Sequence, residues 1–117
     1  MISAIYSALS GLVAFEKKIG VTANNVANIN TDGFKKSRVT LEESQPQGVQ
    51  AKIEQINTPG PLALEQTPEG ESLVEKSNVD ISEEMTNLIV GQRFYEANLR
   101  TLKIEDERLG SLLDIVK

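Results

Sequence analysis

The chain has no cysteine, no histidine and no tryptophan. Lacking cysteine, it has no disulfide framework, no thiolate zinc site and no thiol nucleophile. Lacking histidine, it is without the commonest general base and the commonest metal ligand. Aromatic residues make up 4% of the chain, too few for stacking platforms on bases or sugars. Cations are scarce as well: 12 Lys and Arg stand against 17 Asp and Glu, a net charge of −5. That balance argues against nucleic acid or an anionic membrane surface as partner. No apolar run approaches a membrane span. The first residues, Met1-Ile2-Ser3-Ala4-Ile5, lack a basic region, an apolar core and a cleavage site, so they do not read as a Sec signal. A chain of 117 residues is expected to form one domain at most.

What remains is a pair of ends alike in kind. At positions 2, 5, 9, 12, 16, 19, 23 and 26, stepping alternately by three and four, stand Ile2, Ile5, Leu9, Leu12, Glu16, Ile19, Ala23 and Val26. This heptad-like stripe predicts an amphipathic helix, facing either an internal core or a neighbouring subunit. Ala4, Ala8, Gly11 and Ala14 put small residues beside it, where another backbone can come close. The helix is expected to stop near 27–30, because Asn28-Ile29-Asn30-Thr31-Asp32-Gly33 is turn chemistry and Gly33 readily takes a positive φ. Asn24, Asn25 and Asn28 lie at that end, placed to cap the helix or to bond to another chain.

The C-terminal stripe is longer. Met85, Leu88, Gln92, Tyr95, Leu99, Leu102, Asp106, Leu109, Leu113 and Val116 repeat over more than four heptads, broken by Gln92 and Asp106. Asp80 suits the N-cap, with Glu83 at the third helical position as in a capping box. Between the stripes the period changes to two in Arg38-Val39-Thr40-Leu41-Glu42, in Val49-Gln50-Ala51-Lys52-Ile53-Glu54 and again at Leu62 and Leu64. Pro46-Gln47-Gly48, Thr58-Pro59-Gly60-Pro61 and Thr67-Pro68-Glu69-Gly70 are breaks. The expected fold is α+β and mainly α: two long terminal helices pairing as a coiled-coil-like couple around a small β-hairpin or three-stranded patch. The expected division is an N-terminal helix over 1–30, a turn and β-rich insert over 31–78, and a C-terminal helix over 79–117.

Charge follows this division. Residues 1–40 carry net +3, residues 41–84 net −8, and residues 85–117 are balanced. The acidic middle reads as a solvated, loop-rich segment or as a functional surface. Catalysis has little to stand on: Glu83 and Glu84, adjacent on a helix, point apart, and the acidic stretch around 65–75 lacks a regular metal-loop spacing. No enzyme activity, cofactor, metal or small-molecule substrate is expected.

Three strings at the N-terminal end resemble a known family. Ser7-Ala8-Leu9-Ser10-Gly11-Leu12, Val21-Thr22-Ala23-Asn24-Asn25-Val26-Ala27-Asn28 and Asn30-Thr31-Asp32-Gly33-Phe34-Lys35 are similar to the N-terminal signature of bacterial flagellar rod and hook proteins. At the other end, Ser77-Asn78-Val79-Asp80, Glu83-Glu84-Met85 and Gln92-Arg93-Phe94-Tyr95-Glu96-Ala97-Asn98 resemble the C-terminal signature of the same axial proteins. The short interval between the signatures favours the smallest members, the proximal rod type (FlgC-like). The N-terminal string looks closer to distal rod and hook members.

The resemblance implies a structural subunit of the basal-body rod, serving motility. It implies assembly with copies of itself and with other rod and hook subunits, in a rod that spans the periplasm. It also implies passage through the flagellar type III export apparatus without a cleaved signal peptide, a route that suits a chain free of cysteine. The motif residues it singles out are Asn24, Asn25, Asn28, Thr31, Gly33, Phe34, Asn78 and Asp80. The candidate assembly interface is Ile2, Ile5, Leu9, Leu12, Ile19, Val26, Met85, Leu88, Tyr95, Leu99, Leu102, Leu109, Leu113 and Val116. The competing reading is a soluble coiled-coil adaptor that closes as a dimer or tetramer; such a protein has no need of the Asn-rich turn at 24–33.

Overall fold

The computed structural model describes residues 2–117. Helix α1 (Ile2–Ala27) is followed by strands β1 (Ser37–Glu43), β2 (Val49–Gln55), β3 (Leu62–Thr67) and β4 (Gly70–Glu75), and the chain closes with helix α2 (Ile81–Val116). The two terminal helices pair, as expected, and they run antiparallel: Gly11 meets Asn98, and Gly91 meets Ile19. Phe15 and Phe94 stack between them, with ring centroids 5.2 Å apart and planes 12° from parallel.

The strands form two separate antiparallel hairpins, β1–β2 and β3–β4, rather than one hairpin or a three-stranded patch. Strand β4 is the element that the alternation did not mark. Its Leu73 and Val74 are adjacent apolar residues, which hides the period of two. Hairpin β1–β2 lies along α1. Asn25 holds its first strand, while at its turn Ser10 Oγ accepts the Val49 N–H at 3.1 Å. Hairpin β3–β4 packs on no other element among the described residues. The molecule measures 80 × 22 × 19 Å. A helix of 36 residues accounts for about 54 Å of that length at 1.5 Å per residue, and β3–β4 extends the body beyond the start of α2.

The inner face is not the face of large side chains. Ala8 and Ala14 are the fully buried apolar residues among those described, and the other buried side chains are Thr22, Asn25, Ser77, Glu84 and Glu105. On α2 the buried positions Glu84, Gly91 and Glu105 share one heptad position with half-buried Asn98. Small residues allow close backbone approach, so the chain pairs its own helices on the small and polar stripe. Many large apolar residues, Leu9, Met85 and Leu99 among them, are thereby turned toward the outside.

Candidate functional site

The motif residues from the two ends of the chain meet at one junction. Asn25, on the last turn of α1, is buried and behaves like a strand neighbour of Ser37. Its Oδ1 accepts the Ser37 N–H at 3.0 Å, and its Nδ2 donates to the Ser37 carbonyl at 2.8 Å. Asn78 does the same work from the other end. Its Oδ1 accepts the Lys36 N–H at 2.7 Å, and its Nδ2 donates to the carbonyls of Ile56 and Thr58 at 2.8 and 2.9 Å. An amide carries both a donor and an acceptor, so Asn can pair with backbone where no strand is available. The two side chains thus fix the chain's path between α1, β1 and α2.

Asn28 closes the end of α1, donating to the Asn24 carbonyl at 2.9 Å, and Thr31 donates to Asn28 Oδ1 at 3.1 Å. Of the two roles open to these amides, local capping describes Asn28, whereas Asn25 reaches a residue twelve positions away. Gly33 has φ of 70°, the left-handed value its place after Asp32 predicted, and its N–H bonds to the Glu75 carbonyl at 2.9 Å. The Asn78 N–H donates to the Phe34 carbonyl at 3.3 Å. Asp80 is the N-cap of α2, accepting the Ser82 N–H at 2.9 Å. Glu83 does not complete a capping box; its carboxylate takes Lys36 Nζ at 2.6 Å.

Charge reinforces the junction. Glu75 pairs with Lys35 and also accepts the Gly60 N–H, and these contacts hold its carboxyl below the ordinary range. Lys76 bridges Asp32, at 2.8 Å, and Glu65, and these anions raise its pKa. Glu84 goes the other way: burial pushes its carboxyl up, partly opposed by the neighbouring Asn25 amide and the Lys36 charge. Sequence reasoning missed Glu84 and Glu105, because a Glu on a long helix normally reads as solvated. It also missed Gly60, whose missing side chain lets the Lys76 carbonyl come within 1.9 Å of where a Cβ would stand.

The candidate interface residues lie mostly outside this junction. Ile2, Leu9, Met85, Leu99, Leu109, Leu113 and Val116 are exposed, and Ile5, Leu12, Ile19, Val26, Leu88, Tyr95 and Leu102 are half-buried. With Gly11 opposite Asn98, α1 runs out near 105–108 of α2, and every residue from 106 to 117 is exposed. A groove of about 670 Å³ runs beside the helix pair, floored by Ile5, Leu99 and Leu102 and rimmed by Arg100, Lys103 and Asp106. Among the described residues no group of three or more acidic residues is placed to hold a metal ion, and no helix is long and apolar enough to cross a membrane.

Comparison with known proteins bears on both ends. Residues 5–35 match the family model described as flagella basal body rod protein, and residues 71–115 match the model described as flagellar basal body rod FlgEFG protein C-terminal. The flagellar basal-body rod protein FlgG of Bacillus subtilis is 47% identical over 49 residues, covering 42% of this chain and 19% of the relative. The flagellar hook protein FlgE of Escherichia coli is 45% identical over 42 residues, 36% of this chain and 10% of that protein. The flagellar hook-basal body complex protein FlhP of Bacillus subtilis is 57% identical over 37 residues, 32% of this chain and 14% of that protein. The aligned stretches therefore span under a fifth of these relatives' length.

Proposed function

We propose that this chain, which carries the terminal segments of the flagellar basal-body rod and hook family at both its ends, is a structural axial subunit of the flagellar rod. It acts by assembling with copies of itself and with other rod and hook subunits. The observation that supports this reading most is the division of labour between helix faces. Small and polar residues pack the helices within one chain, while Leu9, Met85, Leu99, Leu109 and Leu113 remain outside. Large exposed apolar residues in this number mark an interaction surface.

The subunit type follows the ends. Their similarity is to FlgG-type rod and FlgE-type hook proteins, whereas the FlgC-like proximal type was suggested by the short interval alone. Residues 36–70, between the two matched segments, hold strands β1 to β3 and the turns around them, and β4 falls at the start of the C-terminal match. We therefore place the chain as a small rod subunit with distal-type ends. Its route would be the flagellar export apparatus, and its place the periplasm-spanning rod.

Removing the gene tests the reading. Flagellar assembly should halt at the rod, and motility should return on complementation. Normal rods and swimming without the protein would sink it. The adaptor alternative is separated by sedimentation across a concentration series: a closed adaptor holds one mass, and a rod subunit does not.

A further inference from the structure

Hairpin β3–β4 has a face without a partner. Its register sets Leu64 opposite Leu73, with Leu62 two pairs toward the base on the same face and Gln66 opposite Glu71 toward the tip. Leu62, Leu64 and Leu73 are 65%, 63% and 66% exposed, far from burial for residues of this size. From 53 to 75 the chain has no Lys or Arg, and Glu69 and Glu71 flank the tip. The groove beside the helix pair has an apolar floor of Ile5, Leu99 and Leu102, and its rim carries two cations, Arg100 and Lys103, against one anion, Asp106. Among the described residues none of Glu69, Glu71, Arg100 and Lys103 forms an ion pair.

We infer that the β3–β4 hairpin of one copy docks into the Ile5–Leu99–Leu102 groove of the next, with Leu64 and Leu73 on the groove floor and Glu69 and Glu71 against Arg100 and Lys103. This rests on the reading that the chain assembles with copies of itself. The hairpin cannot reach the groove of its own chain. It sits at the start of α2, and Leu102 lies about 30 Å further along that helix at 1.5 Å per residue. A cavity of about 670 Å³ has room for two leucine side chains. Complementary rim charges fix the register and speed encounter, while the leucines supply most of the attraction. The contact joins unlike surfaces, so each copy keeps a free hairpin at one end and a free groove at the other, and the series stays open.

The natural chain has no cysteine, which makes cross-linking clean. Single variants Glu71→Cys and Lys103→Cys, both at exposed positions, are made in the full chain, mixed and oxidised. Circular dichroism checks each fold. A disulfide-linked heterodimer should form from this pair and not from Glu71→Cys with Arg93→Cys, since Arg93 lies outside the groove. In parallel, reversing Glu69 and Glu71 to Lys should raise the concentration for half-maximal association by at least about threefold, and reversing Arg100 and Lys103 to Glu in the partner should restore it. If the unmodified protein associates but Glu71 links no better to Lys103 than to Arg93, this docking is wrong and self-assembly stands. If the unmodified protein does not associate at any concentration, the proposal and the self-assembly it rests on both fail.

Discussion

Gly11 and Asn98 touch where the two helices cross: a Cβ built on Gly11 would lie 2.5 Å from Asn98 Oδ1 and 2.7 Å from Cγ. Asn98 is itself held, donating from Nδ2 to the Phe94 carbonyl at 2.8 Å. Gly11→Leu should therefore wedge the helices apart and cost about 1–3 kcal/mol, the range for overpacking a closed contact. Gly11→Ala combined with Asn98→Ala should lose less than the separate changes added together. Urea unfolding of the four proteins measures that coupling; strict additivity would mean the two residues are not in contact.

Asn25 gives a second prediction. Asn25→Ala leaves the Ser37 N–H and carbonyl unpaired in a partly buried place, which costs about 1–3 kcal/mol. Asn25→Asp keeps an acceptor for Ser37 but loses the donor and adds charge beside Glu84, so it should be at least as harmful. Thermal denaturation ranks the variants, and Asn25→Asp of native stability would remove the backbone-pairing account.

The third concerns the turn at Gly33. Nothing lies within 4 Å of a Cβ there, so the cost of a side chain comes from the φ of 70° alone. Gly33→Val should lose about 1–2 kcal/mol and Gly33→Asn much less, because Asn tolerates the left-handed region. We expect motility in complementation to follow the same order. Full swimming with the Val variant would show that the turn does not set a geometry that assembly needs.

Glu84 makes stability depend on pH in an unusual direction. Its carboxyl is raised in the folded chain, so the fold binds its proton more tightly than the unfolded chain does. Stability from this group is gained as pH falls below the raised value and lost as pH climbs from the ordinary carboxylate range through it. Glu84→Gln, neutral and of similar shape, should leave the fold at least as stable at neutral pH and flatten the dependence just above the ordinary carboxylate range. Denaturation midpoints across acid to neutral pH decide the matter; a variant with an unchanged slope would clear Glu84 of the effect.

The ends of the elements were legible because they rest on local chemistry. Asp80 caps α2 and Asn28 closes α1 through bonds to near neighbours, and Gly33 turns left-handed where Asp-Gly follows a helix end. The inner face of the helix pair was not legible. Hydrophobic periodicity follows the bulk of side chains, and here Leu9 and Leu99 face outward while Ala8, Gly11 and Gly91 are inside. The clue is the run of small residues beside the stripe, since Ala8, Gly11 and Ala14 are themselves the seam. Arg100 stands outside the stripe that holds Leu99 and Leu102, yet all three line one groove. That side-by-side placement depends on where α1 crosses, which no local pattern specifies.

Only Ala8 and Ala14 among the described apolar side chains are fully enclosed. A body with so little apolar volume locked inside resists pulling weakly, because few contacts must break before the helices part. Rigidity in a shaft made of such units would be collective, set by the joints between neighbours. Torsional stiffness would then appear only as copies are added, and single substitutions at outward leucines would soften the shaft while leaving each free subunit almost unaltered.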